Sequence, residues 1–453
     1  MELNQTFILN MKKLLKEDYQ NYIDSFSSAS KRGMRVNQNY IDTKNFEKCF
    51  EFSAKKINNF ENLYTLETDK KIGNSVYHHA GMIYLQEPSS MLASLALDIQ
   101  PDDRVLDLCA APGGKTSQIL EKVDSELVVS NEIVFSRSQI LLSNIERQGF
   151  KNSLITCLDA QTLADEFPNY FDKILVDAPC SGEGMFRRDP QTIEEWNESL
   201  PEFNHIRQLE ILKQADKMLK TGGYLLYSTC TFNTTENEQT VLEFCDQYGY
   251  DICEIEERIK KVTRDGISLD GKHDLKQTRR CFPQDGFGEG QFISLLQKRS
   301  ENENQERRKK CGYQELSRQE KELAINLLKE TIGRTDLYFA KMNGNIYVSE
   351  IEFPKIEKGI VSLGVRFGSI EKNRITPHHQ FFKAYGQEFI NKVELSKDEA
   401  YQYLYGLELE NKENLKGYAC VLFERVPLGG VKASNNSLKN HYPKGLRNKK
   451  IEN

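Results

Sequence analysis

RVLDLCAAPGGKTSQILEKV, Arg104 to Val123, reads as a short apolar strand, a glycine turn and a helix. Glycines there let the backbone approach a ligand, and the helix N-terminus offers unpaired N–H groups. Strands and helices alternate onward from it. ELVVSNE (Glu126 to Glu132) is a strand, and SRSQILLSNIERQG (Ser136 to Gly149) is a helix with apolar positions at helical spacing. SLITC and KILVD are further strands. HIRQLEILKQADKMLK (His205 to Lys220) is an amphipathic helix stopped by Gly222 and Gly223. YLLYS and QFISLLQK complete the set. Short apolar strands alternating with helices predict a doubly wound α/β domain, its parallel sheet covered on both faces.

At 453 residues the chain is too long for one core, and about three or four domains are expected. Residues 1–75 read as a small mixed accessory or RNA-binding domain, with KRGMRVN (Lys31 to Asn37) as its basic strand. The doubly wound domain takes residues 76–298, led in by YLQEPSSMLASLALDI (Tyr84 to Ile99) as a loop and an apolar helix. Residues 299–310, polar and without periodicity, are a linker. A small domain over 311–372 holds the helix SRQEKELAINLLKETI and strands around YFAKMNGNIYVSEI. In the last unit, 373–453, Thr376 and Pro377 supply a cap and first-turn proline before the helix HHQFFKAY.

Composition narrows the function. Mean hydropathy is −0.60, and no run approaches the ~20 apolar residues of a membrane span. The N-terminus lacks the apolar core and cleavage site of a signal peptide. Ten scattered cysteines without a C-x-x-C pair argue against a zinc site and a disulfide framework. A reducing, cytoplasmic setting is expected, with no metal. The His78-His79 and His378-His379 pairs have no ligand partners at metal spacing and read as polar surface. A net charge of −6 requires any polyanion site to be locally basic. Lys432, Lys439, Lys444, Arg447, Lys449 and Lys450 supply such a stretch, with His441 and Tyr442 as bases' stacking surfaces. Arg187, Arg188 and Lys31 to Arg35 are candidates for the path to the active site.

The glycine turn is not a dinucleotide fingerprint. It reads A-A-P-G-G-K rather than G-x-G-x-x-G, and Pro112 removes a donor N–H. Glu132, Asp159 and Asp177 end successive strands and outline one crevice. A carboxylate in the place of Glu132 can accept from ribose hydroxyls. Acids suit a cationic ligand, and S-adenosylmethionine fits.

Two cysteines stand apart. Cys180 lies in VDAPCSGEG (Val176 to Gly184) and Cys230 in YSTCTFNTTEN (Tyr227 to Asn237), each in a turn after an apolar run. Thr235 and Glu238 form a capping box opening the next helix, whose dipole favours a thiolate just before it. Two thiols at strand ends suggest covalent chemistry with a nucleophile and a helper. Residue type alone leaves open which one attacks. Cys109, beside the glycine turn, reads as packing, and Cys157, Cys245 and Cys253 are assigned no chemistry.

LDLCAAPGGKT, VDAPCSGEGMFRRDP and YSTCTFNTTENE closely resemble the signature segments of the RNA 5-methylcytosine methyltransferases. The resemblance runs from about Tyr84 to Lys298 and extends to Arg35 and Asn37 and to Gln86–Ser89. The ending LKNHYPKGLR resembles the C-terminal domain of the RsmF branch, bacterial ribosomal RNA methyltransferases with a PUA-like terminal domain. The resemblance implies a Rossmann-like class I methyltransferase domain between a small N-terminal α/β domain and a PUA-like domain. It implies S-adenosylmethionine held by Cys109, Ala110, Ala111, Pro112, Gly113, Gly114 and Lys115. By the same likeness Glu132 holds the ribose, Asp159 lies by the adenine edge, and Asp177 lies near the methionine end and the target base. Cys230 is the implied nucleophile and Cys180 the helper in product release. The implied substrate is cytosine in 16S rRNA within the 30S subunit, and the enzyme is expected to be a monomer. One departure is Gln284, where many relatives carry histidine; Arg280, Pro283 and Gly286 are kept.

Such chemistry wants two thiols. A thiolate adding to carbon 6 of cytosine makes carbon 5 nucleophilic, and the adduct must afterwards resolve. Thiolate is the reactive form, against a free pKa of ~8.5. Alternatives are a transfer RNA methyltransferase of the same chemistry and a non-catalytic ribosome-assembly factor on this scaffold. The RsmF-like ending speaks against the first, and retention of both thiols and the acids against the second. A nicotinamide-linked oxidoreductase fails on the loop sequence.

Overall fold

The structure is a computed structural model that describes residues 3–271, 273–300 and 310–448. Residues 301–309 of the expected linker and the basic positions Lys449 and Lys450 lie outside the described residues. Among the described residues no helix is long and apolar enough to cross a membrane.

The chain opens with helices α1 (Gln5–Leu15) and α2 (Tyr19–Ser25). A four-stranded antiparallel sheet follows: β1 (Gly33–Val36), β2 (Ala54–Lys56), β3 (Leu63–Leu66) and β4 (Ile83–Gln86), in the order β2-β3-β1-β4. This corrects two expectations. Tyr84–Gln86 is strand rather than loop, and the N-terminal unit runs past residue 75. The backbone of β1 has two edges to satisfy, and β4 fills the second, with Gly33 opposite Gln86 and Val36 opposite Ile83.

The central sheet contains β5 (Val105–Asp107), β6 (Val128–Asn131), β7 (Ser153–Thr156), β8 (Phe171–Asp177) and β9 (Leu219–Thr229), parallel in the order β9-β8-β5-β6-β7. It is mixed rather than wholly parallel. β10 (Tyr250–Cys253), β11 (Arg264–Asp265), β12 (Arg279–Cys281) and β13 (Gln291–Lys298) add antiparallel pairing beyond β9. Alternation sorts the strand residues into two cores. Leu106, Val129 and Leu154 enter one, with Leu212 and Phe244 of the helices Leu200–Met218 and Thr240–Tyr248. Val105, Val128 and Ile155 enter the other, with Leu120, Leu141 and Ile145. Each such side chain contributes roughly 1.5–3 kcal/mol on full burial, which is why strands buried on both faces read as continuous apolar runs. Strand order reverses at β5, so the carboxyl ends of β5 and β8 flank a crevice where such sheets bind ligands.

The helix Leu200–Met218 ends four residues before Gly222. Its last carbonyls are satisfied by Lys298, whose Nζ donates to Asp216 O at 2.6 Å and Leu219 O at 3.3 Å. The glycines instead fall within β9.

Beyond the linker, Ser317 and Glu320 cap the helix Arg318–Thr331. β14 (Tyr338–Met342), β15 (Asn345–Ser349), β16 (Ile360–Leu363), β17 (Val365–Glu371) and β18 (Arg374–Pro377) follow. Four of them form the sheet β14-β15-β17-β18, while β16 extends the central sheet at β7. The expected boundary at 372 therefore cuts the β17–β18 hairpin, where Ile370 faces Ile375. Thr376 and Pro377 end a strand. The cap of the helix His379–Tyr385 is His378, whose Nδ1 accepts from Gln380 N at 3.2 Å. The last sheet, β19 (Lys392–Glu394), β20 (Leu409–Glu410), β21 (Gly417–Phe423), β22 (Val426–Ala433) and β23 (Ser437–Asn440), has the order β19-β21-β22-β23-β20.

The histidine pairs are not surface. His79 Nδ1 meets the Tyr442 hydroxyl at 2.9 Å, and His379 packs edge-on against the same ring at 5.1 Å. Burial holds His78, His79 and His378 below the ordinary imidazole value. Lys383 donates from Nζ to Ala80 O at 2.6 Å and to Pro427 O, tying the first unit to the last. Tyr442 is 4 % exposed, so it is not available for stacking on a base.

Candidate active site

A cavity of about 500 Å³ opens at the carboxyl ends of β5, β8 and β9. Its floor is Asp107 and the turn Cys109–Lys115, of which all but Gly113 line it. Gly113 has φ +106°, and a Cβ there would stand 2.9 Å from Leu141 Cδ1. A Cβ on Gly114 would sit 3.0 Å from both Gln86 and Tyr84 of β4. The turn is thus pressed between the helix Phe135–Gln148 and the N-terminal sheet, which forms one wall. Burial pushes the Cys109 thiol up.

Lys115 carries the charge at the centre. Its Nζ donates to Asp177 Oδ2 at 2.6 Å and Ser90 Oγ at 2.7 Å. Burial pulls its pKa down, but Asp177, with Asp107 and Cys230, outweighs that, and the net direction is upward. Asp177 Oδ1 accepts from Ser228 Oγ at 2.7 Å and Gln291 Nε2 at 3.3 Å. Asp107 was missed from the sequence, where it read as a strand residue. Its Oδ2 accepts from Thr116 Oγ1 at 2.7 Å, while the buried Oδ1 has no partner. Burial pushes this carboxyl up to about 7, helped by the charge of Asp177 and opposed by the Thr116 hydroxyl. An acid ending an apolar strand just before a glycine turn was the available signal.

Asp177 and Cys230 line the cavity; Glu132 and Asp159 do not. Glu132 is buried after β6, accepting from Val134 N at 3.0 Å and facing Arg137 at 3.4 Å. Asp159 caps the helix Ala160–Glu166, accepting from Thr162 N at 2.9 Å and Thr162 Oγ1 at 2.7 Å. These hydrogen bonds hold its carboxyl below the ordinary value. Ile133, Val134 and Phe135 stand exposed next to Glu132.

The two thiols, fifty residues apart in sequence, meet. Cys180 Sγ and Cys230 Sγ are 3.3 Å apart, because β8 and β9 are parallel neighbours that end together. Cys230 lines the cavity, and half-buried Cys180 does not. The Cys230 sulfur, burial and the charge of Glu236 hold the Cys180 thiol well above its ordinary range. The expected capping box does not form. Glu238 is ion-paired with buried Arg280 and accepts from Ile267 N at 3.0 Å, so it cannot reach the helix end. Residues Thr235–Gln239 form a π-helical turn instead. Arg280 also donates to Phe232 O at 2.6 Å, and Phe232 stacks on Phe282 at 5.2 Å and meets Tyr22 of α2 at 5.8 Å. Gln284 Nε2 donates to Asp18 Oδ2 at 2.9 Å, which ties its loop to the N-terminal helices.

Of the basic candidates, Lys31, Arg32 and Arg188 line the mouth. Arg35 does not, being 1 % exposed and paired with Glu121 and Ser117. Arg187 is bound to Glu289 at 3.0 Å. In the last unit Lys432, Lys439 and Lys444 are exposed, His441 is half-buried, and Arg447 donates to Tyr442 O at 3.4 Å.

Residues 94–297 match the family described as 16S rRNA methyltransferase RsmB/F, residues 3–88 the N-terminal domain of 16S rRNA methyltransferase RsmF, and residues 390–448 the methyltransferase RsmF PUA domain. The first two matches meet near the end of β4, as the N-terminal sheet does. Ribosomal RNA small subunit methyltransferase F of Shewanella piezotolerans is 30 % identical, over 99 % of this chain and 98 % of its own length. The protein of that name from Vibrio cholerae is 28 % identical over 98 % of each. Among solved structures, a methyltransferase homolog protein from Pyrococcus horikoshii is 25 % identical with a TM-score of 0.57, covering 65 % of this chain and 95 % of its own. NSun6 from the same organism, solved with SFG, shares the fold at a TM-score of 0.56 and 21 % identity, over 66 % and 99 %. With an N-terminal RsmF domain, a methyltransferase domain and a PUA domain matched in order, the chain belongs to the RsmF family of 16S rRNA methyltransferases.

Proposed function

We propose that this protein methylates carbon 5 of cytosine in small-subunit ribosomal RNA, with S-adenosylmethionine as donor, Cys230 as nucleophile and Cys180 as the thiol that assists product release. The observation that carries the reading is the contact between the two sulfurs, with only Cys230 open to the cavity floored by Cys109–Lys115.

The cavity suits a cationic, amine-bearing ligand. Asp107 offers a buried acceptor without a partner, and Asp177 a second carboxylate. The glycine turn brings backbone close, and Ile133 to Phe135 beside Glu132 offer apolar surface to a flat ring. Asp107, Asp177 and the turn would hold the methionine part, and Glu132 and Asp159 the adenosine. Bound there, S-adenosylmethionine supplies an electrophilic methyl carbon for carbon 5 of an activated cytosine.

The chain's own groups do the activation. The Cys230 thiolate adds to carbon 6, forming a C–S bond and moving the ring's double-bond electrons towards carbon 5. Lys115 and Asp177, locked to each other, place a fixed dipole beside that ring, and the Lys115 ammonium interacts electrostatically with Cys230. Such preorganised charge needs no rearrangement during reaction. After transfer a base takes the carbon 5 proton, the C–H electrons restore the double bond, and the C–S bond breaks with its electrons on the Cys230 sulfur. Cys180, held as a thiol, is in reach to return a proton to that sulfur. A cytosine that enters this cavity leaves its stack, at roughly a few kcal/mol when it is paired. Lys31, Arg32 and Arg188 at the mouth and the exposed lysines of the last unit would meet the RNA phosphates. We take the substrate to be rRNA within the 30S particle and the active species to be a monomer.

Bisulfite mapping of small-subunit rRNA from cells with and without the gene tests the reading. At least one cytosine should lose its protection in the deletion. An unchanged map, or methyl incorporation by the purified protein into transfer RNA but not 30S particles, would overturn the substrate.

A further inference from the structure

The loops that carry the thiols are joined by two buried glutamates that the mechanism above leaves unused. Glu183 lies three residues after Cys180, and Glu236 six after Cys230. Each reaches across to the other loop. Glu183 Oε2 accepts from Phe232 N at 2.8 Å and Asn233 N at 2.9 Å, two and three residues beyond Cys230. Glu236 Oε2 accepts from Ser181 N at 2.9 Å, the residue after Cys180, and from Gln208 Nε2 at 2.9 Å. Asn233 Nδ2 bridges the pair, 3.2 Å from Glu183 Oε1 and 2.7 Å from Glu236 Oε1. Both carboxylates are at least 97 % buried, and among the described residues neither is in an ion pair with a cation.

Buried carboxylates without a cation are uncommon, because removal from water is costly unless hydrogen bonds replace hydration. Here the replacements are backbone N–H groups, whose positions a carboxylate fixes in a way a flexible ion pair does not. The crossing is reciprocal: each thiol's loop supplies the acceptor for the N–H groups beside the other thiol. Sliding one loop against the other breaks bonds at both carboxylates. Gly184 N to Cys230 O, at 2.9 Å, the Ser181–Thr231 hydroxyl contact, at 2.6 Å, and Asn233 Nδ2 to Ser181 Oγ, at 3.3 Å, link the loops besides.

We propose that Glu183 and Glu236, with Asn233 between them, are positioning residues that fix the Cys180–Cys230 separation and so set how fast the covalent adduct is released. Glutamine cannot substitute cleanly at either site. Both oxygens of each glutamate face N–H donors, so an amide turns one of its own N–H groups towards a donor. Asn233 cannot turn over to compensate, since its Oδ1 accepts from Glu236 N at 2.8 Å.

The proposal rests on the assignment of Cys230 and Cys180 above, and two measurements separate the fates of the two ideas. The first needs no substrate. Diamide, which oxidises two neighbouring thiols to a disulfide while being reduced to the hydrazine, is added to the full-length protein. Appearance of the Cys180–Cys230 disulfide is followed by peptide mass spectrometry. E236Q and E183Q should slow it about tenfold or more, while the circular-dichroism spectrum and cofactor affinity stay as in wild type. The second follows single turnovers on cytidine-containing substrate RNA. E236Q should accumulate covalent adduct as Cys180→Ala does, with KM for RNA changed less than about twofold. Disulfide formation at the wild-type rate in both variants overturns the proposal. So does a parallel loss of adduct and product, which is the mark of general loosening. Absence of any adduct in the wild type, with disulfide formation slowed as expected, would instead defeat the chemistry and leave the brace standing.

Discussion

Replacing Asp107 by asparagine exchanges one ionisable oxygen at the cavity floor for an amide nitrogen and changes little else. The asparagine oxygen can keep the hydrogen bond from Thr116 Oγ1, and its nitrogen takes the place of the unpartnered Oδ1. In the folded protein the Asp107 carboxyl sits at about 7, against 3.8 ordinarily, mainly because it is buried. Between these values the unfolded chain has released the proton and the folded chain still holds it. Asp107's contribution to stability is therefore fully present below about pH 4 and is lost as pH rises to about 7. The slope is about 1.36 kcal/mol per pH unit, so the total reaches about 4 kcal/mol. D107N should match the wild type near pH 4 and exceed it by that order above about pH 7.5. Urea unfolding read from Trp196, the chain's single tryptophan, packed against Phe7 at 5.6 Å, measures this across the pH range. Parallel pH profiles for the two proteins would refute the reasoning, for they would mean that Asp107 ionises normally and that its burial is not felt.

Arg280→Met should cost about 3–5 kcal/mol in thermal unfolding by stranding the buried charge of Glu238. The double variant Arg280→Met/Glu238→Leu should recover most of that loss, and failure to recover would assign the cost to weaker packing on Phe292 instead. Replacing exposed Lys432, Lys439 and Lys444 by alanine should weaken RNA binding and flatten its salt dependence by about one unit of slope for each phosphate left without a cation. Tyr442→Phe should leave RNA affinity within about twofold, since the ring is packed among His79, His379 and Tyr403; a larger drop in a fluorescence-anisotropy titration would mean that the ring reaches the RNA.

The alternating pattern from Arg104 onward was legible because strands buried on both faces and amphipathic helices differ in period. The glycine turn and both thiol segments were legible as local chemistry. Partnerships across long separations were not. Nothing near His78-His79 announces Tyr442, more than three hundred and fifty residues later, so a packed contact read as surface. The second edge of β1 is filled by a strand that looked like a loop, because YLQ is too short to show a period. Thr235 and Glu238 matched a capping box in spacing, yet the buried Arg280 claimed the carboxylate. Glu183 and Glu236 lay inside the quoted segments, but only the adjacency of β8 and β9 gives each a partner. Asp107 was hidden by its strand, as a buried acid at a strand end looks like any other position until the open floor beside it is seen.

The attack by Cys230 is the central claim, and covalent trapping tests it most directly. Wild type, Cys230→Ala and Cys180→Ala are incubated with S-adenosylmethionine and substrate RNA carrying 5-fluorocytidine, then resolved on a denaturing gel. The fluorine blocks the last elimination, so a protein whose nucleophile is intact stays bound to the RNA. Wild type and Cys180→Ala should give the shifted band and Cys230→Ala should give none. A shifted band with Cys230→Ala, or its loss with Cys180→Ala alone, would contradict the account.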